Sequence, residues 1–259
     1  MSRESPSGAV RVRHSQEIES LLSDLGSQLK RGGGVRERPS RLPIGRPEVD
    51  RLLGGGFPLG ALSEISGASS SGRTSLSLAL LAHTTGRGEL AGWVDTADAF
   101  DPPSAERLGV DLDRVLWVRV RTEPERSAER ALRATERLLQ TEGFPLVLLD
   151  WTGSLPAPKV ASWIRLTRLA AAARSVLLLL SSERLAGSHA EMAVMMEPAR
   201  ARFTGTPALL EELEARMLLV RNRTAPIDPT ASFDIRLSGV RPRRLSQPRP
   251  CRTSRESAA

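Results

Sequence analysis

The residues GASSSGRTSL at positions 67–76 have the spacing of a phosphate-binding loop. Gly67 and Gly72 are separated by four residues, and a hydroxyl group follows at Thr74. In such a loop, backbone N–H groups at a helix N-terminus surround phosphates, a cation reaches the terminal phosphates, and the hydroxyl binds magnesium. Position 73 is arginine, where this kind of loop usually has lysine. The competing interpretation is a serine-rich turn between a strand and a helix.

The flanking segments favour the phosphate-binding interpretation. ALSEISG, which ends at Gly67, is typical of a strand, and TSLSLALLAHTT is typical of an apolar helix. A strand before the loop and a helix after it is the context that phosphate binding requires. The predicted nucleotide-binding residues of the loop are Gly67, Ser70, Ser71, Gly72, Arg73, Thr74 and Ser75.

Between about residues 42 and 241, strand-like and helix-like segments alternate. PLVLLD and VLLLLSS are continuously apolar, as strands buried on both faces are, and SAERALRATERLLQTEG is an amphipathic helical segment before the first of them. This pattern predicts an α/β fold with a mostly parallel central sheet flanked by helices. After residue 190, strand-like segments follow one another without helices, which predicts an antiparallel β extension.

The two ends of the chain differ from this core. Residues 16–30 form an amphipathic helical pattern that cannot bury its apolar face alone, so the helix must dock on the core or on another subunit. The apolar face consists of Ile18, Leu21, Leu22, Leu25 and Leu29. We therefore divide the chain into an N-terminal helix with a Gly/Arg linker (1–41), a core (42–241) and a disordered basic tail (242–259).

The charge balance is strongly basic. The net charge is +7 and the pI is near 11, and arginine supplies nearly all of the cations because Lys30 and Lys159 are the only lysines. This balance favours a nucleic-acid partner, and the alternative is a solvated surface whose arginines reflect a GC-rich coding bias. No segment approaches the roughly 20 apolar residues of a membrane span, and Cys251 is the only cysteine, so we expect a cytoplasmic protein without disulfides.

Four segments resemble the RecA recombinases. The family's nucleotide loop is similar to GGGFPLGALSEISGASSSGRTSLSLALL. The segment that follows this loop in the family is similar to GWVDTADAFDPPSAERLGVDLDRVL. The family's magnesium-supporting strand is similar to PLVLLDWTGSL, and its late β-hairpin is similar to ARMLLVRNRTAPIDPTASFDIRLSG. The resemblance spans residues 44–239 roughly, in the family's order, and implies a RecA-like core that binds ATP and Mg²⁺.

The resemblance also implies roles for single residues. Thr74 and Asp150 match the hydroxyl and carboxylate that bind magnesium, and Asp101 matches a nucleotide-contacting Asp-Pro step. Arg221 and Arg223 match two basic residues that reach the γ-phosphate held by a neighbouring subunit. The alternative for these two is a pair of solvated arginines on an edge strand.

Two departures from the family's pattern concern catalysis. Ala97 stands where the family has the glutamate that activates water, and Ser182 replaces the glutamine that senses the γ-phosphate. Asp98 is next to Ala97 and remains, with Arg73, a catalytic candidate, although neighbours on a strand face opposite sides. Loss of a positioned general base typically costs roughly 100- to 10,000-fold in rate. We therefore expect a weak, DNA-stimulated ATPase at most.

The connections that would contact DNA are short. WTGSLPAPKV and ERLAGSHAE stand where the recombinase has long loops. Trp151 and Trp163 are the nearby aromatic residues. Each could stack on a DNA base or could equally be a buried residue of the core. DNA binding is therefore predicted to be led by phosphate contacts and independent of sequence. The candidate residues are Lys159, Arg165, Arg168 and Arg184.

Within the RecA-like superfamily, this combination resembles the ImuA family, accessory proteins of bacterial mutasomes. The resemblance implies SOS-induced translesion DNA synthesis, with DNA and the error-prone Y-family polymerase subunit ImuB as partners and no membrane. RecA itself and a second copy of the chain are further candidate partners. One alternative is an active recombinase or DNA-dependent ATPase, against which Ala97, Ser182 and the short loops count. The other is a cell-division inhibitor of the SulA type, which has no reason to keep Thr74 and Asp150 together.

Overall fold

The computed structural model describes residues 40–120, 124–152, 155–198, 200–204, 209–224 and 232–238. The predicted helix at 16–30 and the tail at 242–259 lie outside these residues. The α-helices of the described chain are α1 (Pro47–Leu52), α2 (Arg73–Gly86), α3 (Pro102–Arg107), α4 (Pro124–Gln140) and α5 (Val160–Ala173). The strands are β1 (Arg41–Leu42), β2 (Phe57–Pro58), β3 (Ala61–Gly67), β4 (Ala91–Asp95), β5 (Val115–Arg119), β6 (Leu146–Trp151), β7 (Val176–Ser181), β8 (Met192–Met196), β9 (Arg200–Thr204), β10 (Leu209–Asn222) and β11 (Ser232–Ser238).

The main sheet has the strand order β11-β10-β8-β3-β7-β6-β4-β5, and β9 pairs with β10. Strands β8, β3, β7, β6, β4 and β5 are all parallel. The pairs that β10 forms with β8, β9 and β11 are antiparallel. The predicted α/β fold with a mostly parallel sheet and an antiparallel extension is therefore confirmed.

The antiparallel extension begins one strand later than the sequence pattern suggests. Although no α-helix separates β7 from β8, β8 lies parallel to β3, in register from Ser63 opposite Met192 to Gly67 opposite Met196. The connection is residues 182–191, and a stretch of this length can span about 33 Å when extended. A six-residue strand such as β7 is about 20 Å long. The chain can therefore return across the sheet without a helix.

Both faces of the parallel sheet are covered by helices. On one face, Leu76 and Leu80 of α2 pack with Ile65 and Trp93 of the sheet. On the other, α4 and α5 cover a second cluster that includes Leu138 of α4. Every residue of β6 and β7 is buried, which explains why these strands are continuously apolar. In the described part of the chain, no helix is long and apolar enough to cross a membrane.

The strand register determines which residues meet at the carboxyl edge of the sheet. Ile65 pairs with Leu180, Leu180 with Asp150, and Asp150 with Asp95. The carboxyl ends of β3, β7, β6 and β4 therefore lie side by side. The loop that follows Gly67 emerges from this same edge, where ligands bind in open parallel sheets.

Candidate functional site

The loop between β3 and α2 has a backbone that few residue types allow. A Cβ atom added to Gly67 would lie 2.6 Å from the Met196 carbonyl oxygen, so only glycine fits between β3 and β8 there. Gly72, which precedes α2, has φ 88°, and Ser70 has φ 61°. Both angles lie in the left-handed region that favours glycine. The sequence spacing therefore corresponds to a real turn around the helix N-terminus.

The loop encloses a cavity of about 230 Å³, which is lined by Ala68 and residues 70–75. Ser71 is 1% exposed, and its hydroxyl oxygen has no hydrogen-bond partner in the described structure. The first N–H groups of any α-helix have no partner within the helix, and α2 begins at Arg73. An enclosed cavity with unpaired donors at a helix N-terminus is suited to an anion.

The side chain of Arg73 is directed into the protein. Its Nη1 donates hydrogen bonds to the carbonyl oxygens of Gly67 and Ser181, the latter at 3.1 Å. Arg73 is 9% exposed, and burial lowers the pKa of its guanidinium while the nearby Asp150 carboxylate raises it. The cation at this position therefore ties the loop to the end of β7.

Asp150 lies at the end of β6 and is 2% exposed. Burial, with a smaller contribution from the charge of Asp95, raises the pKa of Asp150 to about 6, against the hydrogen bonds from Thr152 and the charge of Arg73. Its Oδ1 accepts the Thr152 backbone N–H at 3.1 Å. A metal ion that binds Asp150 must therefore displace its proton at pH values below about 6.

The segment after β4 is organised by Asp95. Its carboxylate accepts the backbone N–H groups of Ala97, Ala99 and Phe100 and the indole N–H of Trp117, at 3.0–3.2 Å. Ala97 is therefore held in a tight turn over Asp95 and brings no functional group. The Asp95 carboxylate therefore stabilises this turn through the three backbone N–H groups that it accepts.

The candidate base Asp98 is paired with a cation at the sheet edge. Its two carboxylate oxygens accept hydrogen bonds from Arg119 at 2.8 and 3.0 Å. Arg119 belongs to the outer strand β5, and its guanidinium lies 4.7 Å from the centre of the Trp117 ring. This pairing holds the Asp98 carboxylate on the β5 side of β4, whereas the loop emerges from β3 on the other side.

Two of the other three predicted residues have side-chain partners. Asp101 is exposed and caps α3, because its Oδ2 accepts the Ser104 N–H at 3.1 Å. Arg221 lies opposite Ala193 at an irregular point of β10, and its buried Nε has no hydrogen-bond partner in the described structure. Arg223 lies 4.0 Å from the Glu191 carboxylate.

Arg221 and Arg223 lie far from the loop of their own chain. Arg221 lies in the part of β10 that pairs with the start of β8, and Arg223 follows β10, whereas Gly67 pairs with Met196 at the end of β8. Ala193, opposite Arg221, lies three strand residues before Met196, a distance of about 10 Å along the strand. Contact of either arginine with a ligand in this chain's loop is therefore disfavoured, and the neighbouring-subunit role and the edge-strand alternative stay open.

The DNA-binding candidates are spread over one helix and one connection. Lys159 precedes α5, Arg165 and Arg168 lie on α5, and Arg184 lies in the connection after β7. All four are exposed, and Arg165 forms an ion pair of 2.6 Å with Glu136 of α4. Trp151 and Trp163 are 2% and 3% exposed, so their rings belong to the core.

Glu64 is a functional residue that sequence reasoning missed. It is fully buried in β3, and its Oε1 accepts the N–H groups of Leu185 and Ala186, at 2.6 and 3.2 Å, and the Ser181 hydroxyl at 3.3 Å. It therefore holds the connection after β7 against the sheet. A glutamate inside an apolar strand is the signal that could have identified it.

Arg41 is a second missed residue. Its Nη1 donates to the carbonyl oxygens of Leu53 and Gly56 at 2.9 and 2.8 Å, and its Nη2 donates to the Thr224 hydroxyl. The guanidinium thus joins the glycine-rich lead-in of β2 to the end of β10. It lies in an arginine-rich stretch whose composition is typical of a linker, so no local pattern distinguishes it.

The comparison with known proteins agrees with this architecture. The model of the RecA N-terminal domain matches residues 16–176, which is more than half of the chain. The chain belongs to the RecA family. Protein RecA of Prochlorococcus marinus (strain MIT 9303) is 35% identical over 130 residues, which are 50% of this chain and 33% of that RecA. Protein RecA of Synechococcus sp. (strain CC9605) is 33% identical over 165 residues, 60% of this chain and 43% of that RecA. The chain thus spans less than half the length of these RecA proteins.

Proposed function

We propose that this protein is a RecA-family accessory factor in SOS-induced translesion DNA synthesis, which binds ATP without rapid hydrolysis. The observation that carries the proposal is the inward position of Arg73. Its bonds to Gly67 and Ser181 support the shape of the loop and engage the cation with backbone carbonyl oxygens. A loop that keeps its shape without a free cation is suited to binding rather than to turnover.

The residues present fit a polyphosphate and a magnesium ion. The unpartnered Ser71 hydroxyl and the 230 Å³ cavity at the N-terminus of α2 would receive the phosphates. Thr74 lines the same cavity, and Asp150 lies at the same edge of the sheet, so these two would supply the magnesium ligands. Bound MgATP would supply a charged phosphate chain whose presence changes the surface and stability of this edge.

The groups that would activate water are engaged elsewhere. Asp95 accepts bonds from three backbone N–H groups, and the Asp98 carboxylate pairs with Arg119. Ala97 has no ionisable group. Phosphoryl transfer depends on positioned charges and a positioned base, so the chain is expected to hydrolyse ATP slowly, with DNA giving a modest stimulation.

The proposed partners follow from charge and from family likeness. The net charge of +7 and the exposed arginines favour DNA, bound through its phosphates. The ImuA resemblance of the sequence supports ImuB, the error-prone polymerase subunit, as the protein partner, and RecA as a further one. The connections after β6 and β7 are short, and the second is held by Glu64, which supports a role other than strand exchange.

Nucleotide binding and turnover, each with and without single-stranded DNA, test the proposal. Calorimetry with a non-hydrolysable ATP analogue and magnesium is expected to detect binding that Thr74→Ala and Asp150→Ala weaken at least tenfold. The turnover rate is expected to stay far below that of a recombinase. Absence of heat at millimolar analogue would refute nucleotide binding, and co-purification with ImuB tests the polymerase role separately.

An active recombinase is the second candidate function. The observations in its favour are the 33–35% identity to proteins named RecA and the match of the RecA N-terminal domain over residues 16–176, which include the nucleotide loop. Strand exchange between a single-stranded circle and a homologous duplex distinguishes the two functions. Product formation in the presence of ATP would overturn the accessory role, and no product is expected.

A further inference from the structure

The outward face of α4 carries four arginines in a single line, Arg126, Arg130, Arg133 and Arg137, which we call the arginine stripe. All four are exposed, whereas Ala131, Thr135 and Leu138 of the same helix are buried. With 3.6 residues per turn, spacings of four, three and four residues keep the stripe within an arc of about 60°. The stripe is about 17 Å long at 1.5 Å per residue.

Most of this charge is not neutralised within the described part of the chain. Glu129 pairs with Arg133 at 2.5 Å, and Glu136 pairs with Arg165 of α5. Among the described residues, no carboxylate lies within 4.0 Å of the guanidinium groups of Arg126, Arg130 or Arg137. Three positive charges on one helical face are therefore exposed to solvent together.

Such a line of like charges is unfavourable for the helix by itself. Residues three and four positions apart are neighbours on a helix surface, and like charges in these positions destabilise it. An anionic partner that neutralises the stripe removes this repulsion. A nucleic-acid backbone has the required form, with one phosphate per about 3.4 Å along each strand, so that the stripe matches about five phosphates. Arginine is also the cation whose flat fork binds phosphate through paired hydrogen bonds.

We propose that the arginine stripe of α4 is a binding surface for the phosphate backbone of DNA. The proposal rests on the DNA binding of the proposed function and specifies where the DNA binds. The binding surface lies on the helical layer and not at the connections after β6 and β7. Exposed Arg168 on the neighbouring helix α5 lies in the same layer and extends the positive surface. DNA binding at the stripe does not require the loop or its nucleotide.

The salt dependence of DNA binding tests this proposal. The variant Arg126→Gln/Arg130→Gln/Arg137→Gln keeps helix-favouring side chains and removes three charges. The affinities for a 30-base-pair duplex and for a 30-nucleotide oligo(dT) are measured between 50 and 200 mM salt. For the duplex, the loss of three phosphate contacts is expected to reduce the slope of log affinity against log salt concentration by about 2.7. Between 50 and 200 mM salt, the wild type should therefore lose about 40-fold more affinity than the variant.

The matched control is Arg51→Gln/Arg87→Gln/Arg107→Gln, which removes three exposed arginines from outside α4 and changes the net charge equally. Its slope is expected to stay within about one unit of that of the wild type. An equal fall in both variants would mean that net charge, not the stripe, carries the effect. An unchanged slope in the stripe variant would overturn the proposal while DNA binding by the wild type still stands. No duplex binding by the wild type at 50 mM salt would refute both.

Arginine modification of the wild-type protein gives a second readout that needs no variant. Phenylglyoxal labelling followed by mass spectrometry is expected to show that duplex DNA protects Arg126, Arg130 and Arg137 at least fivefold. Arg51 and Arg107 should stay equally reactive with and without DNA. Equal labelling of the stripe in both conditions would overturn the proposal, even if the triple variant fails to fold.

An acidic protein segment is the competing partner for the stripe, and the same proteins distinguish it. A 15-residue polyglutamate peptide is the probe. If the stripe variant loses peptide binding but keeps the duplex affinity and slope of the wild type, the surface binds acidic protein and the proposal is wrong. The expected result is that DNA binding changes and that any peptide binding is weak enough for 150 mM salt to abolish it.

Discussion

At the scale of single residues, Arg73 has structural partners that its position in the loop does not indicate. Lysine at this position is a compact ammonium that can lie over phosphates, whereas a guanidinium has donors in a fixed plane. The fork of Arg73 reaches the carbonyl oxygens of two different segments, Gly67 and Ser181. We therefore expect the arginine to contribute to the stability of the loop.

Replacing Arg73 by methionine is expected to lower the free energy of unfolding. The change removes two charge-assisted hydrogen bonds to buried carbonyl oxygens, and bonds of this kind contribute about 1.5–3 kcal/mol each. We expect a loss of about 3 kcal/mol in urea denaturation. Arg73→Lys is the comparison variant, with a smaller loss of stability and about tenfold tighter binding of an ATP analogue. Equal stability of wild type and Arg73→Met would contradict this role.

Asp150 predicts a pH dependence of stability in metal-free buffer. Its pKa is raised to about 6 in the folded state, mainly by burial, from an ordinary value of 3.8. The folded state therefore holds this proton more tightly than the unfolded state, so the contribution of Asp150 to stability is present at low pH and is lost as the pH rises through 6. A difference of this size corresponds to about 3 kcal/mol.

Asp150→Asn isolates this effect from other titrating groups. The unfolding free energy of wild type minus that of the variant is expected to decrease by about 2 kcal/mol between pH 4 and pH 7, with EDTA present. Urea denaturation at several pH values measures the difference. A difference that is constant with pH would show that Asp150 titrates normally in the folded protein.

At the scale of elements, the connection between β7 and β8 depends on one carboxyl group. Glu64 accepts two backbone N–H groups of this connection and the Ser181 hydroxyl, all at Oε1. Ser181 also accepts the bond from Arg73 through its carbonyl oxygen. The nucleotide loop, the end of β7 and the following connection are thus joined through adjacent hydrogen bonds.

Glu64→Ala is expected to release the connection. Loss of the acceptor leaves the buried N–H groups of Leu185 and Ala186 without partners, at a cost of about 1–3 kcal/mol each. Limited trypsin digestion should then cut after the exposed Arg184 at least tenfold faster, as seen by mass spectrometry. Glu64→Gln keeps an acceptor oxygen and should be cut at nearly the wild-type rate. Equally fast cutting of the two variants would mean that the carboxylate charge, not the acceptor, holds the segment.

At the scale of the whole molecule, basic charge is divided between the folded core and the tail. Residues 242–259 contain five arginines and one glutamate. Deleting them is expected to weaken duplex binding at low salt and to leave the urea midpoint unchanged, because a polar, charged segment of this kind adds nothing to a packed core. Fluorescence anisotropy and denaturation measure the two effects. Unchanged duplex affinity at 50 mM salt would show that the tail is a passive appendage.

The overall architecture could be predicted from local patterns. Continuous runs such as VLLLL can be satisfied only by strands buried on both faces, and the helical pattern of α4 has one apolar side. The loop could be found because the spacing of Gly67 and Gly72 is local and Gly72 is needed for its positive φ, whereas the need for glycine at Gly67 comes from the distant Met196. The sequence therefore determined the fold class, the loop and the position of Asp150 at the same sheet edge.

The partners of the charged side chains could not be predicted in this way. Arg73 reaches Ser181, Glu64 reaches Ala186, and Asp98 reaches Arg119, each across a strand boundary that no local period describes. Hydrogen bonds are short and directional, so their partners are known only when the strand register and loop paths are known. Whether a charge is free to act or already paired was therefore decided by the tertiary structure alone, because burial and pairing are properties of the assembled sheet.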